Sequence, residues 1–181
     1  MNEHLKLVRA LHMAMSYPQA EQGADTPLSD MDIVIYQALL MEAGSRVLYA
    51  LKVTEITDIL GGLVGLAYTA AAAIAKQGAD ITDEPVYWRH DGSVLSIMKI
   101  ISDKTNQCAK GGSDNYSELY CLCFHLARGF INADFDRAFR MLHDHHFSRL
   151  KENGESFYDI ADNDYKAKRK NFPDLSGCLF E

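Results

Sequence analysis

The chain has 181 residues, of which 48% are hydrophobic, and its formal net charge is −7 at pH 7. This length is close to that of one ordinary domain, and the apolar content is sufficient for a buried core. The negative charge and the lack of a broad basic face argue against a protein that binds a nucleic-acid backbone. A nucleotide remains a possible ligand, because a few cations or one metal ion can hold its phosphates.

Helices are the predicted elements, since the chain has only four prolines and long stretches run without a breaker. Apolar residues at helical spacing predict six helices, at about residues 3–16, 30–51, 54–77, 93–109, 115–131 and 134–151. Ser29 or Asp30 is predicted to cap the second helix, Thr54 to cap the third, and Gly78 to end the third. The sequence therefore predicts one all-α domain that packs as a helical bundle.

The third predicted helix contains an uncharged apolar segment at residues 59–75, which is at the lower length limit for a membrane span. The segment is rich in Ala and Gly, so it is only weakly hydrophobic. Gly61 and Gly65 are four residues apart, a spacing that lets a second helix approach closely. We therefore predict a buried core helix and no membrane partner.

The cysteines show no Cys-x-x-Cys spacing that would indicate a zinc site; they are Cys108, Cys121, Cys123 and Cys178. Two of them lie in strongly apolar surroundings, which is typical of core thiols. Nothing in their pattern predicts disulfides, and this favours a reducing compartment. The N-terminus lacks the apolar core of a signal peptide, so the predicted location is the cytoplasm.

The C-terminal tail, residues 156–181, is mostly polar. It contains a basic patch formed by Lys166, Lys168, Arg169 and Lys170. We interpret this patch as a solvated face rather than a binding site. The last apolar residues, Leu175, Leu179 and Phe180, are predicted to dock the tail on the domain.

Four short motifs follow one another along the chain. They are Leu-Val-Arg-Ala-Leu-His at 7–12, Leu-Leu-Met-Glu-Ala-Gly-Ser-Arg-Val at 39–47, Gly-Leu-Val-Gly-Leu-Ala-Tyr at 62–68 with Gly-Ala-Asp at 78–80, and His-Asp-His-His-Phe-Ser-Arg-Leu at 143–150. In this order and spacing they resemble the MazG-like all-α nucleoside triphosphate pyrophosphohydrolases. The resemblance covers residues 5–80 and 133–155. It implies a MazG-like helical bundle at 1–155, with an inserted helical pair at about 83–132.

The resemblance also implies an activity, the conversion of a nucleoside triphosphate to the monophosphate and pyrophosphate with Mg²⁺. Such enzymes hold Mg²⁺ through Glu-x-x-Glu and Glu-x-x-Asp pairs on two facing helices, because this ion requires hard oxygen ligands. The corresponding residues in this chain are Ala43, Arg46, Gly62 and Gly65. All four acids are absent, and this predicts weak or no hydrolysis.

Other acids offer a relocated magnesium site, formed by Glu42 with the Glu-x-x-Asp pair Glu55 and Asp58. The competing interpretation is that Glu55 and Asp58 only stabilise the positive end of the third helix. Both alternatives stay open at the level of the sequence.

Phosphate binding without a metal is the second possibility. Arg46 could contact a phosphate together with Arg149 or Lys151, and His146 replaces the Asn typical of the family. His143 lies on the same helical face as His146, and the resemblance explains this pair better than a metal site does.

The expected partners are a nucleotide or another small phosphate ligand, and further copies of the same chain. The resemblance implies a homodimer or homotetramer, because MazG-like proteins build their sites partly across subunits. The alternative function is a non-catalytic nucleotide- or anion-binding protein, or a structural oligomeric helical protein.

Overall fold

The computed structural model describes residues 1–83, 91–154, 156, 158 and 172–180. Within these residues the chain forms six helices and no strand, and this confirms the predicted all-α fold. The helices are α1 (Glu3–Ala14), α2 (Asp30–Val53), α3 (Ile56–Gln77), α4 (Val94–Gln107), α5 (Ser113–Gly129) and α6 (Phe135–Asn153). The basic patch at 166–170 and the loop residues 84–90 lie outside the described residues.

Helix α3 forms the centre of the bundle. It packs most extensively against α2 and α5, and α1 and α6 contact it as well. The side chains of residues 70–75 are all fully buried, and five of these six residues are alanines. Because an alanine side chain is short, several helices can approach the α3 axis at the same time. The low bulk of α3 therefore sets how close its neighbours lie.

Length and composition alone would allow α3 to cross a membrane, and among the described residues it is the one helix of which this is true. In the structure, 89% of its apolar window is covered by the rest of the protein. The helix ends at Gly78, which adopts the left-handed conformation with φ of 73°. This is the predicted end of the helix.

Helices α2 and α3 form an antiparallel hairpin whose turn consists of Thr54 and Glu55. Thr54 has φ of 58°, and its N–H donates to the carbonyl of Ala50, so it ends α2. The predicted role of Thr54 as the cap of α3 is therefore wrong. Glu55 occupies the cap position, and its side chain makes no capping hydrogen bond. A left-handed β-branched residue is unfavourable, but it reverses the chain within two residues.

Other helix ends differ from the predicted ones by a few residues. Helix α1 ends before Ser16, whose positive φ of 53° is incompatible with a continuing helix. Helix α5 begins at Ser113 because Gly112 takes the cap position. Ser29 caps α2 as predicted, in a reciprocal capping box with Asp32.

The remaining core comes from α5 and the tail. The cysteines, two on α5, one in the turn after α4 and one in the tail, are all buried free thiols. In the tail, Leu175 and Cys178 are buried, whereas Phe180 is exposed. Phe180 contacts the domain through its backbone N–H, which donates to the carbonyl of Asn132, whereas its ring, which is predicted to dock, is instead exposed.

Candidate functional site

The four positions that the resemblance assigns to magnesium ligands lie in the α2–α3 hairpin. A methyl group placed on Gly65 would lie 3.4 Å from Cβ of Ala43. A methyl group on Gly62 would lie 2.4 Å from Cγ2 of Val47 and 2.8 Å from its backbone nitrogen. The two helix backbones are therefore in direct contact at Gly62, with no space for a side chain between them.

Arg46 is half-buried and makes two contacts. Its Nη2 donates to Oδ1 of Asp58 at 2.8 Å, and its guanidinium carbon lies 3.9 Å from the ring centroid of Phe172. The Arg46 side chain also fills the space beside Gly61, where a methyl group would lie 3.3 Å from Nε. Arg46 thus links α2, α3 and the tail, and a carboxylate already neutralises its charge.

The three acids proposed for a relocated magnesium site do not converge. Glu42 precedes Ala43 and is therefore level with Gly65, whereas Asp58 is close to the hairpin turn and Glu55 is in that turn. With a rise of 1.5 Å per residue, Asp58 lies about 10 Å from Gly65 along α3. Magnesium–oxygen distances of about 2.1 Å require ligands much closer together. Among the described residues, no group of three His, Cys, Asp or Glu side chains could share a metal ion.

The histidines of α6 contact α3 one turn beyond Gly65. The hydroxyl of Tyr68 lies 3.0 Å from Nδ1 of His143, and its ring centroid lies 4.9 Å from that of His146. Burial lowers the pKa of His143, and burial with repulsion from His145 and Arg149 lowers the pKa of His146 to about 3. Both imidazoles are therefore neutral at pH 7, and neither offers a positive charge to a phosphate.

The two α6 cations expected to bind phosphate occupy different surroundings. Arg149 is half-buried close to His146, while Lys151 is exposed and its Nζ lies 4.7 Å from the Phe147 ring centroid. The structure thus brings His146 and Arg149 together. Phosphate binding by Arg46, His146, Arg149 and Lys151 stays a prediction, and Arg46 is already engaged by Asp58.

His12 forms a buried cluster with three tyrosines that the sequence did not predict. His12 Nε2 makes a hydrogen bond with the hydroxyl of Tyr158, which lies 3.3 Å from the hydroxyl of Tyr36. The Tyr17 ring stacks on that of Tyr158 at 4.0 Å. Burial, the largest cause, lowers the pKa of His12 to about 4. No local motif could reveal this cluster, because its members come from separate segments of the chain.

A second missed cluster joins α1, α5 and α6. His4 Nδ1 lies 2.7 Å from the hydroxyl of Tyr120, and its Nε2 lies 2.9 Å from Oδ1 of Asp136. The His4 ring stacks on that of Phe139 at 4.0 Å. Tyr120 is buried and burial raises its pKa, so its hydroxyl is neutral. The cluster therefore connects three helices, and of its polar groups the Asp136 carboxylate is the one that reaches solvent.

An open depression of about 190 Å³ lies beside the loop between α1 and α2. Pro18, Pro27, Asp32 and Lys76 contribute to its walls. Lys76 Nζ lies 3.7 Å from Oδ1 of Asp32, so the charges of this pair offset one another. None of the positions expected from the resemblance lines this depression.

Comparison with known proteins finds no family model, no curated protein and no solved structure that matches the chain.

The contact at Gly62 leads to a stability prediction. Gly62→Ala forces a methyl group against the Val47 backbone, so we expect unfolding free energy to fall by about 1–3 kcal/mol, despite the better helix propensity of Ala. Gly44→Ala in the same hairpin is the control, because its methyl group would lie 3.9 Å from Leu66 Cδ2. We expect that variant to be as stable as the wild type or up to about 1 kcal/mol more stable. Urea unfolding followed by circular dichroism measures both, and equal losses in the two variants would contradict the contact.

Buried His12 predicts that stability falls in weak acid. The pKa of His12 is about 4 in the folded protein against an ordinary 6.5, so the unfolded chain binds more protons between these values. Folding stability therefore declines as the pH falls from about 6.5 to 4, by at most about 3 kcal/mol from this residue. His12→Gln should flatten the dependence of unfolding free energy on pH. His125→Gln, at an exposed position, should leave that dependence unchanged. Identical slopes for wild type and His12→Gln would refute this assignment.

Proposed function

We propose that this chain is a non-hydrolytic helical protein that acts by associating with other protein chains. In this proposal the helix arrangement is MazG-like, and the hairpin that would hold magnesium in such enzymes serves close packing. The single observation that carries the proposal is the contact of Gly62 with the backbone of Val47.

The chemistry of nucleoside triphosphate hydrolysis explains why the contact between Gly62 and Val47 argues against catalysis in the hairpin. Cleavage between the α- and β-phosphates requires Mg²⁺ to neutralise the phosphates and to orient the attacking water. Mg²⁺ in turn requires several oxygen ligands in near-octahedral geometry around open space. The hairpin offers methyl groups, glycine backbone and the already paired Arg46 at the positions concerned. Catalysis there would require the two helices to separate.

Association is favoured because α2 exposes apolar side chains on the side opposite the core. Met31, Val34 and Met41 are 66%, 61% and 57% exposed. Single exposed apolar residues are common on soluble proteins, whereas an aligned series marks an interaction surface. A cytoplasmic location and a homodimer or homotetramer belong to the same proposal.

The second candidate function is Mg²⁺-dependent pyrophosphohydrolysis or nucleotide binding with a rearranged site. Exposed carboxylates at the start of α3, on Glu55 and Asp58, favour it, because a metal–nucleotide complex could reach them. His146, Arg149 and Lys151 would then supply the phosphate contacts from α6. This function requires Asp58 to exchange Arg46 for the metal ion.

Pyrophosphate release distinguishes the two candidates. We expect no release from a panel of ribo- and deoxynucleoside triphosphates with Mg²⁺ or Mn²⁺ above the level seen with a chelator, because no metal ligands converge in the part of the chain that the structure describes. We also expect the melting temperature to be unaffected by either metal, since an ion that does not bind the native state does not stabilise it.

Metal-dependent release that is lost in the double variant Glu55→Gln/Asp58→Asn would overturn the proposed function in favour of the enzyme. The double variant Asp103→Asn/Asp114→Asn changes two acids outside the hairpin. It is the matched control and should behave as the wild type.

A further inference from the structure

Helix α2 carries an exposed stripe along its whole length. We name it the α2 stripe, and it consists of Met31, Val34, Ala38, Met41, Ser45, Tyr49 and Val53. Its first members alternate steps of three and four residues, the spacing that keeps side chains on one face of a helix in paired-helix packing. The 24 residues of α2 correspond to a length of about 36 Å, or roughly three heptads.

The stripe lies opposite the face by which α2 enters the core. The buried side chains of α2 include Tyr36, Leu40, Val47 and Leu51, which lie about half a turn from the stripe. A helix that carries apolar side chains on both sides is usually buried on both sides. Among the described residues only one side of α2 packs into the core, and Met31, Val34 and Met41 on the other side stay exposed, so the apolar character of that side calls for a partner.

From these observations we infer that the α2 stripe packs against the α2 stripe of a second copy in an antiparallel homodimer. The inference rests on the proposed function in one respect, namely that α2 serves association rather than metal binding. It goes further by naming the helix, the partner and the orientation.

Charge selects the antiparallel orientation. Asp30 is exposed at the N-terminal end of α2, and Lys52 is exposed at its C-terminal end. Met41 lies midway between them, so a two-fold axis near Met41 places each Asp30 beside Lys52 of the other copy. A parallel pair would instead bring like charges together at both ends, which is unfavourable. The antiparallel arrangement also opposes the two helix dipoles.

The sizes of the stripe residues fit the same axis. Ala38 and Ser45 are both small and lie on either side of Met41. Ala38 of one copy would therefore face Ser45 of the other copy. Val34 would face Tyr49 in the same way. Small residues beside the centre allow the helices to approach, and the larger residues fill the space toward both ends. A two-fold interface requires this kind of self-complementary surface.

Glu42 limits the strength of the contact. It is half-buried beside Met41, so the two copies of its carboxylate would lie near the axis and repel each other. We therefore expect a dissociation constant in the micromolar rather than the nanomolar range.

Sedimentation equilibrium of the full chain over a wide concentration range tests the dimer. We expect the wild type to be dimeric at high concentration and Met41→Glu to weaken the dimer by roughly 100-fold, because two further carboxylates would meet at the axis beside the two of Glu42. Met13→Glu is the matched control, since Met13 is 73% exposed on α1 and outside the stripe. It should dimerise as the wild type does, and circular dichroism should show both variants to be folded.

Disulfide trapping tests the orientation. Met41→Cys should form an intermolecular disulfide under mild oxidation, because the two copies of residue 41 lie at the axis. Ala38→Cys should not, since its two copies would be about 10 Å apart along the helices, beyond the reach of a disulfide. The natural cysteines are all buried and do not compete.

Three results would overturn the inference. They are a monomeric wild type at every concentration, a dimer that Met41→Glu leaves unchanged, and trapping through Ala38→Cys, which indicates a parallel pair. A monomer would mean that another part of the chain or a different protein covers the stripe. These readouts are independent of pyrophosphate release, so a failure of this inference is distinguishable from a failure of the proposed function.

Discussion

The backbone contact between α2 and α3 at Gly62 is the constraint on which the rest of the molecule depends. Because no side chain separates the two helices there, the hairpin has one closely fitted arrangement. That arrangement fixes which residues of α2 face α3 and which face away. It places Arg46 beside Asp58 and turns the α2 stripe outward.

The contact also changes what the hairpin can do chemically. In a metal-dependent hydrolase, two helices bearing acids must stand far enough apart to hold ions and a polyphosphate between them. Close packing of glycine against backbone removes that space and replaces it with dispersion contacts. The absence of acids at Ala43, Arg46, Gly62 and Gly65 and the absence of space between the helices at Gly62 are therefore consistent with each other.

Buried histidines and tyrosines supply the polar contacts between distant segments. His12 joins α1 to Tyr158, His4 joins α1 to α5 and α6, and His143 joins α6 to Tyr68 of α3. Each imidazole is desolvated and has a lowered pKa, so these contacts are formed by neutral rings. They orient the outer helices around α3. Protonation of the imidazoles in weak acid destabilises the folded state at each of these contacts.

The sequence alone determined the helical fold, the Ser29 cap, the end of α3 at Gly78 and the burial of the small-residue segment, because these follow from local propensity and periodicity. It also indicated that the small residues of α3 allow another helix to approach closely. It could not show that Thr54 ends one helix rather than starting the next, since both roles suit a Ser or Thr near a turn.

Only the tertiary structure decided which faces of α2 are covered. The sequence of α2 is apolar on nearly every side, so periodicity could not separate the core side from the exposed stripe. The same holds for Glu42 and Asp58, whose separation along the hairpin depends on the register of two helices. Register and burial are set by packing between segments that are far apart in the chain, and no local pattern contains that information.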